Sequence, residues 1–175
     1  MVLKDKNNAW RKVMSLHQEV DRKAKTLEQR HIQRLQCRKG CFQCCVDDLT
    51  IFEVEADLIT RFHNDVLQQE PHQPGACAFL DQEGGCRIYQ NRPYVCRTQG
   101  LPLRWVEEDG DDWLEYRDIC PLNEQGEPLE NLPEDACWTL GETESQLASL
   151  QAQQSGGSLP RVSLRSLFKR DPQQL

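Results

Sequence analysis

Four cysteines fall within nine residues, in the order Cys37-x3-Cys41-x2-Cys44-Cys45. Thiols this close in sequence converge on one ion or cluster at little loop-closure cost. Soft thiolates select zinc, iron–sulfur clusters or cuprous ion. Four more cysteines follow, Cys77, Cys86, Cys96 and Cys120, and folding can bring them to the same region. These eight are the candidate metal ligands, arranged either as two four-cysteine sites or as one cluster plus a zinc. Cys44 and Cys45 are adjacent and do not easily face the same way in an extended chain, which suits ligands of different sites. Cys137 stands alone beside Trp138 and reads as a small buried hydrophobe. The spacing also matches radical S-adenosylmethionine enzymes, but those need a long βα barrel, and this chain has neither the length nor the strand–helix alternation.

The rest of the composition makes a metal staple useful. Only 38% of the 175 residues are hydrophobic, a lean core for the length. An odd cysteine count with an adjacent pair fits a disulfide framework poorly. The first ten residues include Lys4, Asp5, Lys6, Asn7 and Asn8 and lack the apolar heart of a signal peptide. No apolar run approaches the ~18 residues of a membrane span. The expectation is a cytoplasmic protein whose thiols stay reduced and bind metal. The net charge of −7 is uneven: residues 1–40 carry +7, residues 41–160 carry −17 and residues 161–175 carry +3. The acidic body argues against nucleic acid as the main partner. The basic arm suits either an acidic partner or the protein's own acidic body.

Periodicity places the elements. Trp10, Val13, Leu16, Val20, Ala24, Leu27, His31 and Leu35 form one apolar stripe, predicting a helix from about Asn8 to Gln36. That stripe packs either on the body or on a protein partner. A second helix is predicted from Thr50, where Thr50 and Glu53 have capping-box spacing, and it ends before Pro71 and Pro74. Residues 76–100 read as irregular, with a tight turn at Gly84-Gly85. Leu103–Val106 and Trp113–Tyr116 predict a β-hairpin turning at Asp109-Gly110. Glu134–Gln153 reads as helical, Ser155-Gly156-Gly157-Ser158 as a linker, and the basic tail beyond as a docked short helix or a mobile end. The fold class expected is mainly α with minor β: a small irregular metal-organised domain with a short hairpin and an N-terminal amphipathic helix. Its divisions are 1–36 for that helix, 37–153 for the metal-binding domain, and 154–175 for linker and tail.

Other chemistry is sparse. His17, His31, His63 and His72 lack the cysteine-proximal spacing of a mixed zinc site. There is no phosphate loop and no nucleophile elbow. The acidic run from Glu107 to Asp112 is too short for an EF-hand and reads as a solvated turn. The guanidinium groups of Arg92 and Arg97, near Cys96, suit thiolate sulfurs or neighbouring carboxylates equally. Phe79 and Tyr89 read as walls around the site.

The cysteine pattern, with Leu49-Thr50, Glu55-Ala56, Cys77-Ala78-Phe79-Leu80, Cys86-Arg87-Ile88-Tyr89, Arg92-Pro93, Cys96-Arg97, Gly100-Leu101-Pro102-Leu103 and Cys120-Pro121-Leu122-Asn123, resembles the YkgJ-like cysteine-cluster proteins, described as a zinc- or iron-chelating domain family. The likeness covers about residues 35–123 and leaves Cys137 outside. It implies chelation. Flagellin lysine N-methylases look similar in the cysteine motif, which implies an iron–sulfur cluster working with S-adenosylmethionine. This chain is much shorter than those enzymes. The leading expectation is a metal-binding protein, iron–sulfur favoured over zinc, with a structural, carrier or redox role. The alternatives are a cluster-dependent enzyme related to the lysine N-methylases, and an interaction module that docks a protein partner through the N-terminal helix.

Overall fold

The computed structural model describes residues 8–110 and 112–169. Its elements run α1 (Ala9–Arg30), β1 (Thr50–Phe52), α2 (Glu53–Phe62), α3 (Asn64–Leu67), α4 (Tyr94–Arg97), β2 (Leu103–Asp109), β3 (Asp112–Asp118), β4 (Trp138–Thr139), α5 (Glu142–Ser155) and β5 (Arg161–Ser163). Short 3-10 turns fill several of the gaps, the last at Leu164–Lys169. Asp111 of the acidic run, residues 1–7 of the basic arm and residues 170–175 of the basic tail lie outside the described residues.

Helix α1 follows its apolar period. Val13, Leu16, His17, Val20, Ala24 and Leu27 are buried, and charged residues take the outer face. The stripe is used within the chain's own core. The helix stops at Arg30, earlier than expected, because the next residues are anchored elsewhere. The His31 ring Nε2 lies 2.7 Å from the Ala136 carbonyl. The Arg34 guanidinium donates to the carbonyls of Asn123, Glu124 and Glu127.

The expected helix start at Thr50 is corrected. Thr50–Phe52 is a strand, paired antiparallel with Arg161–Ser163 in the register Thr50–Ser163, Ile51–Val162 and Phe52–Arg161. The capping box does not form: the helix begins at Glu53 and Phe52 makes no side-chain cap. The Gln151 side chain on α5 takes the place of a cap, its Oε1 accepting the Val54 N–H at 3.0 Å, while the Pro160 carbonyl accepts the Glu53 N–H. Helix α2 then serves two cores. Val54 and Leu58 pack with α1, Tyr94, Leu101, Trp138 and Leu147. Ala56 and Ile59, on another face, pack with Ile51, Phe79, Ile88, Leu164 and Leu167.

The hairpin is longer than expected, pairing Leu103 with Asp118 through to Asp109 with Asp112. Strand β4 adds to β2 in parallel, so residues expected to be helical from Glu134 instead form a 3-10 turn and a strand before α5 begins. The fold class is therefore mixed α+β, with five α-helices and two small sheets among the described residues, and not mainly α. Both unforeseen pairings join segments distant in sequence, which local periodicity does not register. No helix among the described residues is long and apolar enough to cross a membrane.

Candidate metal centre

Between Leu35 and Leu49 the chain makes a series of tight turns. The Cys41 N–H donates to the Arg38 carbonyl and the Cys45 N–H to the Phe42 carbonyl, each at 2.9 Å. Gly40, at φ +85°, takes the left-handed turn between Arg38 and Cys41 that a side chain would resist. The Cys77 N–H donates to the Cys45 carbonyl at 2.9 Å, tying the second cysteine segment to the first. Cys86 follows the Gly84-Gly85 turn, which Asp81 holds by accepting from the N–H groups of Glu83 and Gly85. Those two N–H groups keep the Asp81 carboxyl below the usual carboxylate range, that of Gly85 most strongly. Cys96 lies on α4, started by Pro93, and Cys120 opens the turn Pro121–Asn123.

All nine cysteines are free thiols. The eight candidates fall into two overlapping neighbourhoods. Cys37 is within electrostatic reach of Cys41, Cys120 and Cys44. Cys96 is within reach of Cys77, Cys86 and Cys44, and Cys45 within reach of Cys44, Cys77 and Cys96. Cys44 and Cys45 join the two. The Cys45 thiol hydrogen-bonds to Cys44, which draws the Cys44 pKa down to about 6 and pushes that of Cys45 up. Burial pushes Cys77, Cys86 and Cys96 up, and it pushes Cys37 up against an opposing hydrogen bond from Asn123. Among the described residues, no three histidine, cysteine or carboxylate side chains are closed into a metal-ready cage. The two neighbourhoods also differ in cover. Cys37 and Cys44 are exposed, whereas Cys77 and Cys86 pack against the core around Phe79 and Ile88.

The flanking residues resolve into particular contacts. Arg97 pairs with Asp21 and donates to the Gln90 carbonyl, while Arg92 donates to the Cys96 and Tyr89 carbonyls and stacks on the Tyr89 ring. Neither guanidinium donates to a thiol sulfur, and both pair with the Asp21 carboxylate, Arg92 at 3.8 Å, so the carboxylate alternative holds for both. Phe79 is buried core, and Tyr89 is 59% exposed. The histidines are engaged away from sulfur: His17 with Glu55, His31 with Ala136, His63 with Asn91 and His72 with Gln73. Cys137 packs with Leu132 and Ala136, its Sγ 4.0 Å from the Arg117 guanidinium.

Three residues to which sequence reasoning gave no role hold this region together. Asn123 is fully buried and reaches Cys37. Gly100, at φ +91°, backs onto Cys37 so closely that a Cβ there would sit 2.5 Å from its Sγ. Glu55, 3% exposed, takes the Tyr94 N–H at 2.7 Å and lies 3.0 Å from His17 Nε2, joining α1 to α4 beside Cys96. All three lie inside the stretches Glu55-Ala56, Gly100–Leu103 and Cys120–Asn123, so their place in an ordered motif was the available signal.

The donor set suits a thiophilic metal: eight free thiols, no competing histidine, and a backbone shaped around Cys37. Residues 36–121 match the family model CxxCxxCC, described as a putative zinc- or iron-chelating domain. No curated protein and no solved structure gave a significant match.

Proposed function

In a chain whose residues 36–121 match the model of the CxxCxxCC putative zinc- or iron-chelating domain, we propose that eight cysteines form two four-thiolate centres. One would comprise Cys37, Cys41, Cys44 and Cys120, and the other Cys45, Cys77, Cys86 and Cys96. The observation that carries this division is the pair of neighbourhoods that meet at the Cys44–Cys45 step. Adjacent ligands, one to each centre, would set the two centres side by side, in keeping with the hydrogen bond between the Cys44 and Cys45 thiols.

The centres have different roles. The Cys45 set borders the core of Phe79 and Ile88, so a metal there acts as a structural staple for a lean interior. The Cys37 set is open to solvent at Cys37 and Cys44, which suits a carrier or redox role. An iron–sulfur cluster is the occupant favoured at the Cys37 set, because three of its cysteines, Cys37, Cys41 and Cys44, crowd into one short loop and a side-chain N–H reaches a ligand sulfur, a contact that tunes cluster potential. Zinc is the second reading, since four thiolates close a tetrahedral structural site. Either occupant needs reduced thiols, in keeping with the cytoplasm.

Metal and acid-labile sulfide analysis, with an absorbance spectrum, on anaerobically purified protein tests this. The expected result is a brown protein with broad sulfur-to-iron charge-transfer absorbance, in which Cys37→Ser and Cys45→Ser each lose one centre and keep the other. Colourless protein holding stoichiometric zinc and no sulfide would overturn the iron–sulfur assignment. Full metal content in both serine variants would overturn the two centres.

A further inference from the structure

Asn123 is the most constrained polar side chain near the cysteines. It has no exposed surface. Its backbone is pinned at both ends: the N–H donates to the Cys120 carbonyl at 2.7 Å, and the carbonyl accepts from Arg34 Nε at 3.1 Å. Its side-chain Oδ1 accepts the Gln36 N–H at 2.7 Å, and Nδ2 donates to the Gly100 carbonyl at 2.8 Å. Those two partners settle which way the amide faces, because a flip would set an oxygen against the Gly100 carbonyl and an NH2 against the Gln36 N–H. The second Nδ2 proton then points at Cys37, with Nδ2 3.4 Å from Sγ.

The surroundings leave little freedom for that contact to drift. Gly100 presses on the same sulfur beside Asn123, and a Cβ there would also lie 3.2 Å from Asn123 Nδ2. Asn123 thus links three pieces of chain: the entry to the first cysteine group at Gln36-Cys37, the Gly100 turn after Cys96, and the Cys120 turn. Two of them carry cysteines assigned to the same centre.

We propose that Asn123 is the positioning residue of the Cys37 centre, holding Cys37 by an N–H···S hydrogen bond and thereby setting how tightly that one centre keeps its metal. This rests on the two-centre reading. The hydrogen bond withdraws electron density from the Cys37 sulfur and fixes its direction before the metal arrives. Groups of this kind, bonded to a ligand and not to the metal, typically change affinity by about 10- to 100-fold when removed. Arg92 and Arg97, although nearer Cys96 in sequence, make no such contact and leave the Cys45 centre without an equivalent donor from either of them.

The test uses cadmium(II), a thiolate-seeking probe suited to four-cysteine sites whichever metal is native. Metal-free full-length protein, unmutated or carrying Asn123→Ala or Asn123→Asp, is titrated with cadmium against a competing chelator and then studied by cadmium NMR. Asn123→Asp retains an oxygen to accept the Gln36 N–H but removes the donor to sulfur. We expect one of two sites to weaken about 10- to 100-fold in both variants, its cadmium resonance to shift, and the other site to stay unchanged. In the unmutated protein one Asn side-chain amide proton should show scalar coupling to cadmium through the Cys37 sulfur. That coupling needs no variant to fold, and its absence at full loading would overturn the proposal. Equal affinities and identical resonances in folded Asn123→Asp would overturn it equally. Unmutated protein that takes up no cadmium through its cysteines would instead overturn the metal-binding reading beneath it.

Discussion

Gly100→Ala separates backbone strain from crowding at the candidate centre. Gly100 is buried with φ +91°, where an L side chain costs about 1 to 2 kcal/mol. The new methyl would also lie 2.5 Å from Cys37 Sγ, far inside a normal non-bonded contact of about 3.5 to 4.0 Å. Relieving it requires either the Cys37 side chain or the Gly100 turn to move, and overpacking of this kind costs about 1 to 3 kcal/mol. The sum is about 2 to 5 kcal/mol. Gly75 provides the control. Its φ is +102°, but it is exposed and nothing lies within 4 Å of an added Cβ, so Gly75→Ala incurs only the backbone cost of about 1 to 2 kcal/mol. Urea unfolding of both variants, metal-saturated and metal-free, measures the difference. Gly100→Ala should be the less stable by about 1 to 3 kcal/mol and should bind metal more weakly at one centre only. Equal destabilisation of the two variants, with equal metal content, would refute the packing of Gly100 on Cys37.

Three further outcomes follow from particular contacts. Glu55→Ala leaves buried His17 and the Tyr94 N–H without their acceptor and should cost about 3 to 5 kcal/mol in chemical denaturation, while Glu55→Gln, which keeps one oxygen, should cost less; a loss under about 1 kcal/mol for the alanine variant would contradict the buried pairing. Cys137→Ser should leave metal stoichiometry unchanged at a packing cost of about 1 kcal/mol, checked by elemental analysis and a melting curve, because no cysteine neighbours it. The Asp47 carboxyl is held below its ordinary 3.8 by the Gly75 N–H and by Arg165, which also binds the His72 and Ala76 carbonyls. Its contribution is therefore complete above that ordinary value and lost as pH falls through the lower folded one, so Asp47→Asn should flatten the acid limb of a melting-temperature series.

The metal chemistry was legible in the linear order of residues because thiol spacing is a local property. Cys37, Cys41, Cys44 and Cys45 reach one another through a few turns, and the apolar period of α1 requires only its own residues. Adjacent side chains diverge in an extended backbone, but Cys44 lies in a turn and its thiol hydrogen-bonds to that of Cys45, a closeness that spacing does not register. Pairings across distance were hidden. Thr50–Phe52 carries the spacing of a helix cap, yet Arg161–Ser163 makes it a strand. Trp138–Thr139 looked helical until β2 offered it a ladder. The same holds for Asn123 and Gly100, ordinary residues in sequence that acquire their roles only when Gln36-Cys37 is brought against them. Residue type and spacing determine which ligands a chain offers. Which groups press on those ligands depends on contacts between segments some 60 to 90 residues apart, and those are set by the burial of α1 and α2 in shared cores.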